Sequence, residues 1–156
     1  MFKTIIKVKL LNPVCKLSVN SKGDWIDLKS STSRFCPKNK FLMVPLGVCV
    51  QLPDGYEAVI AARSSMYPKN FAYNPSAIGV IDNTYCGDND EWKWVLYFCR
   101  DYEIIEGDRI CQFRIQLSQK ATIWQKIKWI FSSGIEIKYV DKFNEKSRGG
   151  FGTSGK

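Results

Sequence analysis

The sequence predicts an all-β domain, a sandwich or barrel of short strands with one inserted helix and a glycine-rich C-terminal arm. Three features carry that prediction. Short runs rich in Val, Ile, Tyr and Phe recur about every ten residues, punctuated by Gly, Pro and Asn. One stretch, Ala121–Phe131, breaks the rhythm with apolar residues at helical spacing. From Arg148 onward the chain has too much glycine to hold a fold unaided.

The chain opens with Phe2–Leu11, an alternating strand that stops at Asn12-Pro13. Val14–Val19 reads as a second strand, closed by Asn20-Ser21-Lys22-Gly23. Trp25-Ile26-Asp27-Leu28 is short and half apolar, and a Ser/Thr-rich loop follows at Ser30–Ser33. Phe41–Val44 and Val48–Leu52 flank Pro45-Leu46-Gly47, and Pro53-Asp54-Gly55 is a strong turn signal before the strand Tyr56–Ala62. Ala77–Ile81 is apolar and breaks into Asp82-Asn83-Thr84-Tyr85-Cys86-Gly87, which reads as a β-hairpin bend with a carboxylate at the strand end. Trp92–Phe98 and Ile110–Leu117 are strands, the latter entered through the turn Glu106-Gly107-Asp108-Arg109. In Ala121–Phe131 the residues Ile123, Trp124, Ile127, Ile130 and Phe131 form a helical stripe, expected to pack on its own domain. Ser132-Ser133-Gly134 stops the helix, and Ile135–Val140 returns to strand. The expected organisation is a domain over 1–145, an insert at about 119–134 and a flexible arm over 146–156.

At 156 residues, 45% apolar and 24% charged, the chain is one domain able to bury a core without staples. No apolar run approaches the roughly 18 residues a membrane span needs. Met1–Leu10 alternates Lys with Ile and Val and lacks a signal-peptide core, so a cytoplasmic protein without membrane contact is expected. The six cysteines are scattered with no C-x-x-C pair and are expected as reduced, mostly buried thiols. Histidine is absent, which excludes a Ser-His-Asp triad, a His base and the common catalytic zinc sites. Acid–base chemistry then falls to Asp, Glu, Lys, Tyr or Cys, and any metal should favour hard oxygen ligands. The net charge is +8, and Ser118–Arg148 holds seven basic residues against three acids. That balance suits a polyanionic ligand such as a nucleotide; charge by itself is weak support for nucleic acid.

Two local patterns bear on chemistry. Asp82 at a strand end places a carboxylate on a rigid element, with the Tyr85 ring three residues on. Arg63-Ser64-Ser65-Met66, directly after a strand, either offers a guanidinium, two hydroxyls and free N–H groups to an anion or caps a helix behind an exposed Arg.

Taken together, five segments in order resemble the motifs of the trimeric deoxyuridine triphosphate nucleotidohydrolases (dUTPases). They are Ile26-Asp27-Leu28, Ala62-Arg63-Ser64-Ser65-Met66, Gly79–Gly87, Gly107-Asp108-Arg109-Ile110-Cys111-Gln112 and Arg148–Gly155. The resemblance implies a distorted jelly-roll or β-clip fold, a homotrimer with shared active sites, and hydrolysis of dUTP to dUMP and pyrophosphate. In that scheme Asp82 matches the general base for water attack on the α-phosphorus. Gly79, Val80 and Ile81 match the backbone that reads uracil, and Tyr85 the ring packed under deoxyribose. Arg63, Ser64 and Ser65 match the phosphate turn, with Ser64 stabilising the leaving pyrophosphate, and Gln112 the group reaching the α-phosphate. Mg2+ is carried by the triphosphate, with Asp27 reached through water. Phe151 matches the ring over the uracil, and Arg148, Gly152, Thr153 and Ser154 belong to the motif that closes on the γ-phosphate.

Four departures from the family pattern stand out. Arg148 lies three residues before Phe151, where the common spacing is five, the position Lys146 holds. Ser65 replaces a frequent Gly, and Asp88-Asn89-Asp90-Glu91 is unusually acidic beside a triphosphate site, a candidate for the metal shell or an intersubunit Arg. The helical insert is the fourth. Two rival readings remain: a dCTP deaminase, alone or bifunctional, with Glu91 as its nearby carboxylate, and a regulator-binding protein acting through the basic insert.

Overall fold

The structure, a computed structural model, describes residues 2–19 and 23–150. Among them lie eleven strands: β1 (Phe2–Leu10), β2 (Ile26–Lys29), β3 (Arg34–Cys36), β4 (Phe41–Gln51), β5 (Tyr56–Ala62), β6 (Ala72–Tyr73), β7 (Ile78–Asp82), β8 (Glu91–Phe98), β9 (Tyr102–Ile104), β10 (Arg109–Leu117) and β11 (Ser132–Tyr139). Two helices accompany them, α1 (Met66–Asn70) and α2 (Ile123–Ile130). One sheet runs β11-β1-β4-β8-β6 and a second β2-β10-β5-β7, with β3 and β9 forming a separate pair. The expected all-β, jelly-roll-like architecture is what these curled sheets form. No helix among the described residues is long and apolar enough to cross a membrane.

Alternation explains the core. In β8, Trp92, Trp94, Leu96 and Phe98 are all at most 2% exposed, while the residues between them face outward. Trp92 meets Phe113 of β10 edge-on at 5.1 Å, joining the two sheets through their inner faces. Four of the six cysteines are buried and all six are free thiols. Burial pushes Cys15 and Cys49 up to about 11, which keeps them protonated and poor nucleophiles.

Several local expectations are corrected. Val14–Val19 is not a strand: Pro13–Cys15 forms a 3-10 turn, because the Asn12 side chain accepts the Val14 N–H at 3.0 Å and Pro13 sits at its first position. The two runs around Pro45-Leu46-Gly47 form one strand, β4, with an irregularity between Pro45 and Cys49. Gly47 permits it: its φ is +66°, and a Cβ there would come within 2.7 Å of the Cys15 sulfur. The bend after β7 is no β-hairpin, since β7 pairs with β5 and β8 with β4; the segment 83–90 crosses from one sheet to the other.

The insert departs furthest from its expected packing. α2 starts at a full capping box, with Thr122 and Gln125 bonding each other's backbone N–H. Its expected inward stripe faces out instead: Trp124 and Ile130 are each 75% exposed, and Ile123 and Phe131 are exposed too. What docks the helix is Trp129, half-buried and edge-on to Tyr56 at 5.4 Å, with Gln125 donating to the Asp54 carbonyl at 2.8 Å. Trp129→Ala should therefore lower the thermal midpoint by several degrees, whereas Trp124→Ala should leave the isolated subunit within about 0.5 kcal/mol of wild type. Calorimetry on both variants checks this; equal losses would mean that the outer face is also packed.

Candidate active site

β7 is the edge of its sheet, paired on one side to β5 in the register Asp82–Glu57 and Ile78–Ala61. Its other backbone edge lines a cleft of about 320 Å³, walled by Gly79, Val80, Ile81, Asp82, Tyr85, Trp94, Arg148 and Gly150. Gly79 packs flat on Trp94, where a Cβ would stand 3.3 Å from the indole. Asp82 is the one carboxylate among the described residues that lines the cleft.

At the strand end Asp82 is half-exposed and heavily solicited. Arg148 Nη1 donates to both of its oxygens, at 2.8 and 2.9 Å, and the Thr84 N–H donates to Oδ1 at 3.0 Å, joined there by the Thr84 hydroxyl. Burial pushes the carboxyl up, but the Thr84 and Arg148 hydrogen bonds outweigh it and hold Asp82 below the usual carboxylate range. The Tyr85 hydroxyl donates to the Glu91 carbonyl at 3.0 Å, which fixes the ring at the cleft wall. Burial first, then the Asp90 charge, raises its phenol and keeps it protonated.

A second cluster sits at the other end of the same sheet. Asp27 receives Arg63 Nε at 2.8 Å and Arg109 Nη1 at 3.2 Å. The Gln112 amide donates to the Ala62 carbonyl at 3.3 Å, and in the ladder Gln112 lies opposite both Asp27 and Ala61. Arg63–Met66 closes a turn through Met66 N–H to the Arg63 carbonyl at 2.9 Å. This leaves Ser64 exposed and Ser65 at the N-terminal cap of α1, with no side-chain capping bond. Arg109, a fourth-motif residue outside the expected site set, is part of this cluster. Its charge next to the Asp108 turn was the available signal.

The structure thus brings Asp82, Tyr85, Gly79, Val80, Ile81 and Arg148 together, and separately Asp27, Arg63, Ser64, Ser65 and Gln112. Glu57 marks the Asp82 end of β5 and Arg63 follows its other end, six residues on, so the two clusters are about 20 Å apart along the strand. Phe151, Gly152, Thr153 and Ser154 lie outside the described residues. The acidic run is engaged within its own chain. Asp88 accepts the Phe143 N–H at 3.0 Å and faces Lys9 at 3.4 Å, Asp90 accepts the Gly87 and Arg148 N–H groups, and Glu91 accepts the Gly47 N–H at 2.9 Å. No group of three or more Cys, Asp and Glu among the described residues is arranged to hold a metal.

The position of Asp82 gives a pH prediction. Activity that needs its carboxylate should persist as pH falls past the ordinary Asp value of about 3.9, and Arg148→Ala should move the acid limb upward. The same depressed value means that its share of stability is present above the unfolded pKa and is lost as pH falls through the folded one. A carbon-detected NMR titration of the Asp82 carboxyl, in both proteins, reads the shift; identical curves would contradict the Arg148 contribution.

Comparison with known proteins places this geometry. The sequence model of the dUTPase family matches residues 20–155. The SPbeta prophage-derived deoxyuridine 5'-triphosphate nucleotidohydrolase YosS of Bacillus subtilis (strain 168) is 40% identical over 152 residues, covering 96% of this chain and 97% of YosS. The fold is that of the dUTPase from Streptococcus mutans, with TM-score 0.67 at 17% identity over 74% of this chain and 98% of that one. It is also that of a mutant dUTPase from phage phi11 of S. aureus, a structure described as detailing coordination of a structural Mg(II) ion. There the TM-score is 0.65 at 17% identity, over 76% of this chain and 94% of the phage protein. With its five motifs in order along the sequence, the chain belongs to the dUTPase family.

Proposed function

We propose that the protein hydrolyses dUTP to dUMP and pyrophosphate, with Asp82 as general base, in a homotrimer whose sites draw on more than one subunit. The observation that carries the reading is Asp82 itself: an ionised carboxylate on a rigid strand end, at the mouth of a cleft lined by an open strand edge and the Tyr85 ring. Fixed backbone donors and acceptors of Gly79, Val80 and Ile81 can pair with uracil and would be mispaired against cytosine. Tyr85, held by its hydroxyl, supplies the flat surface under the deoxyribose. Asp82 takes a proton from water as the water oxygen bonds to the α-phosphorus; the bond from that phosphorus to the bridging oxygen breaks and pyrophosphate leaves with its electron pair. For this Arg148 must release one Asp82 oxygen, and the triphosphate is the stronger anion to draw it away.

Arg63, Ser64 and Gln112 of a neighbouring subunit would hold the phosphates, because their own cluster is too far along β5 to reach the Asp82 of the same chain. Mg2+, when bound, supplies neutralisation of triphosphate charge. The donor set fits a metal brought by the substrate and not a protein cage: Asp27 offers one carboxylate already paired with Arg63 and Arg109, which leaves it a partner for metal-bound water. The arm over 146–156, with Phe151, Gly152, Thr153 and Ser154, closes the site in this reading, on a core of 1–145. The six free thiols support a reducing compartment, the cytoplasm.

Pyrophosphate release from dUTP and from dCTP by the wild-type protein tests the reading. dUTP is expected to be cleaved and dCTP spared; a folded, inert protein would overturn it. Deamination of dCTP has little support, since Glu91 is engaged by the Gly47 N–H and does not line the cleft. A partner-binding role beside catalysis is favoured by one observation, the outward apolar face of α2 at Trp124 and Ile130. Trp124→Ser with Ile130→Ser should then leave hydrolysis intact.

A further inference from the structure

The helix α2 is seated on the domain from one side. Gln125 accepts the Thr122 N–H at 2.7 Å and donates to the Asp54 carbonyl at 2.8 Å, Trp129 rests on Tyr56, and Ala121 at the entrance is buried. The seat is close, since a Cβ at Gly55 would overlap the Gln125 amide. At 3.6 residues per turn, Ile123, Trp124, Ile127, Ile130 and Phe131 then fall within an arc of about 120°, opposite Gln125 and Trp129. All five are exposed. Lys126 borders one side of this arc and Lys128 the other, both exposed, with Lys120 just before the helix. No Asp or Glu occurs from Lys120 through Gly134. The result is a firmly held apolar ridge with a cationic rim on each side.

Three kinds of partner could cover such a ridge, and its chemistry separates them. A second copy of the same ridge would set lysine against lysine on both rims, which opposes pairing. A folded partner must bring a groove, because α2 presents a convex surface. A lipid bilayer needs none: aliphatic side chains enter the acyl boundary, an indole lies at headgroup level, and lysines reach back to anionic headgroups. We propose that α2 is an interfacial helix that rests the protein on an anionic bilayer, with the five apolar side chains in the headgroup–acyl boundary and Lys126 and Lys128 against lipid phosphates. The inference rests on the reading of this outward face as a binding surface, and it departs from the expectation of a protein without membrane contact. The contact is peripheral, because eight helical residues rise only about 12 Å against a hydrocarbon core of roughly 30 Å. Hydrolysis does not depend on it: none of these residues lines the Asp82 cleft or joins the Asp27 cluster.

Flotation of the full chain with vesicles tests this, using phosphatidylcholine alone or phosphatidylcholine and phosphatidylglycerol in equal parts. Binding to the anionic vesicles should exceed binding to the neutral ones by about tenfold and fall as salt rises. Trp124→Ser with Ile130→Ser should weaken it about tenfold or more, and Lys126→Gln with Lys128→Gln should remove most of its salt dependence. Both double variants should melt like wild type and release pyrophosphate from dUTP at its rate. Lipids brominated on their acyl chains should quench the tryptophan fluorescence of wild type, and far less that of Trp124→Phe, which keeps the apolar ridge and the binding. No flotation with anionic vesicles, equal binding to neutral ones, or binding unchanged in either double variant overturns the proposal. So does association of whole assemblies that Trp124→Ser with Ile130→Ser abolishes, since a second copy would then cover the ridge. An inert wild type fails the hydrolase reading alone and leaves the lipid result standing.

Discussion

Asp82→Asn should lower the rate of dUTP hydrolysis by about 10²–10⁴-fold, the usual contribution of a positioned general base. The amide keeps the size of the side chain and one acceptor oxygen but cannot take the proton of the attacking water. Stability should hardly change. The Asp82–Arg148 pair is 52% and 44% exposed, and exposed pairs contribute little once solvent screens them. The uracil-reading edge at Gly79–Ile81 is backbone and stays as it was, so KM for dUTP should move far less than kcat. Pyrophosphate release under saturating dUTP, beside a melting curve, separates the cases. A variant that keeps full rate would remove Asp82 from the chemistry. One that melts many degrees lower would mean that the Arg148 contact holds the arm.

Much of this was legible in the sequence, and the failures have physical causes. Strands that alternate strictly, such as Trp92–Phe98, declare which face is buried, and the structure agrees at every second residue. Val14–Val19 has the right composition for a strand, but Asn12-Pro13 upstream provides a side-chain acceptor and a fixed φ, and the local turn prevails. Strand pairing was beyond a reading by neighbours: Ile78–Asp82 and Glu91–Phe98 adjoin in sequence yet belong to different sheets, because partners are chosen by burial of whole faces. The helical period of Ala121–Phe131 matches α2, but a period says only that one face differs from the other. It does not say which neighbour covers that face; here Trp129 is covered, and Trp124 and Ile130 are not. The site residues were named by motif. Their division into two clusters, and the grip of Asp88 and Asp90 on the arm, depend on contacts across tens of residues that no local pattern encodes.

That division leads to the second large effect. Arg63→Ala and Asp82→Asn proteins should each be nearly inert, yet trimers that mix the two chains should recover activity. A base acting on the α-phosphorus and a guanidinium holding the phosphates must both lie within about 3 Å of one small molecule. Within a chain they stand about 20 Å apart along β5, a rigid strand paired on both sides, so no hinge brings them together. If a site takes Asp82 from one subunit and Arg63 from the next, about a quarter of sites in randomly mixed trimers combine two intact residues, a rise well above either parent. Arg63 also neutralises Asp27, so its loss leaves Asp27 with Arg109 as its cation among the described residues. Arg63→Lys, which keeps the charge but not the planar fork, should therefore hold the fold and still lose much of the phosphate grip. Absence of recovery in mixed trimers, with each parent folded and trimeric, would contradict a site shared between subunits. The active site would then have to bring its phosphate-binding groups from elsewhere on the same chain.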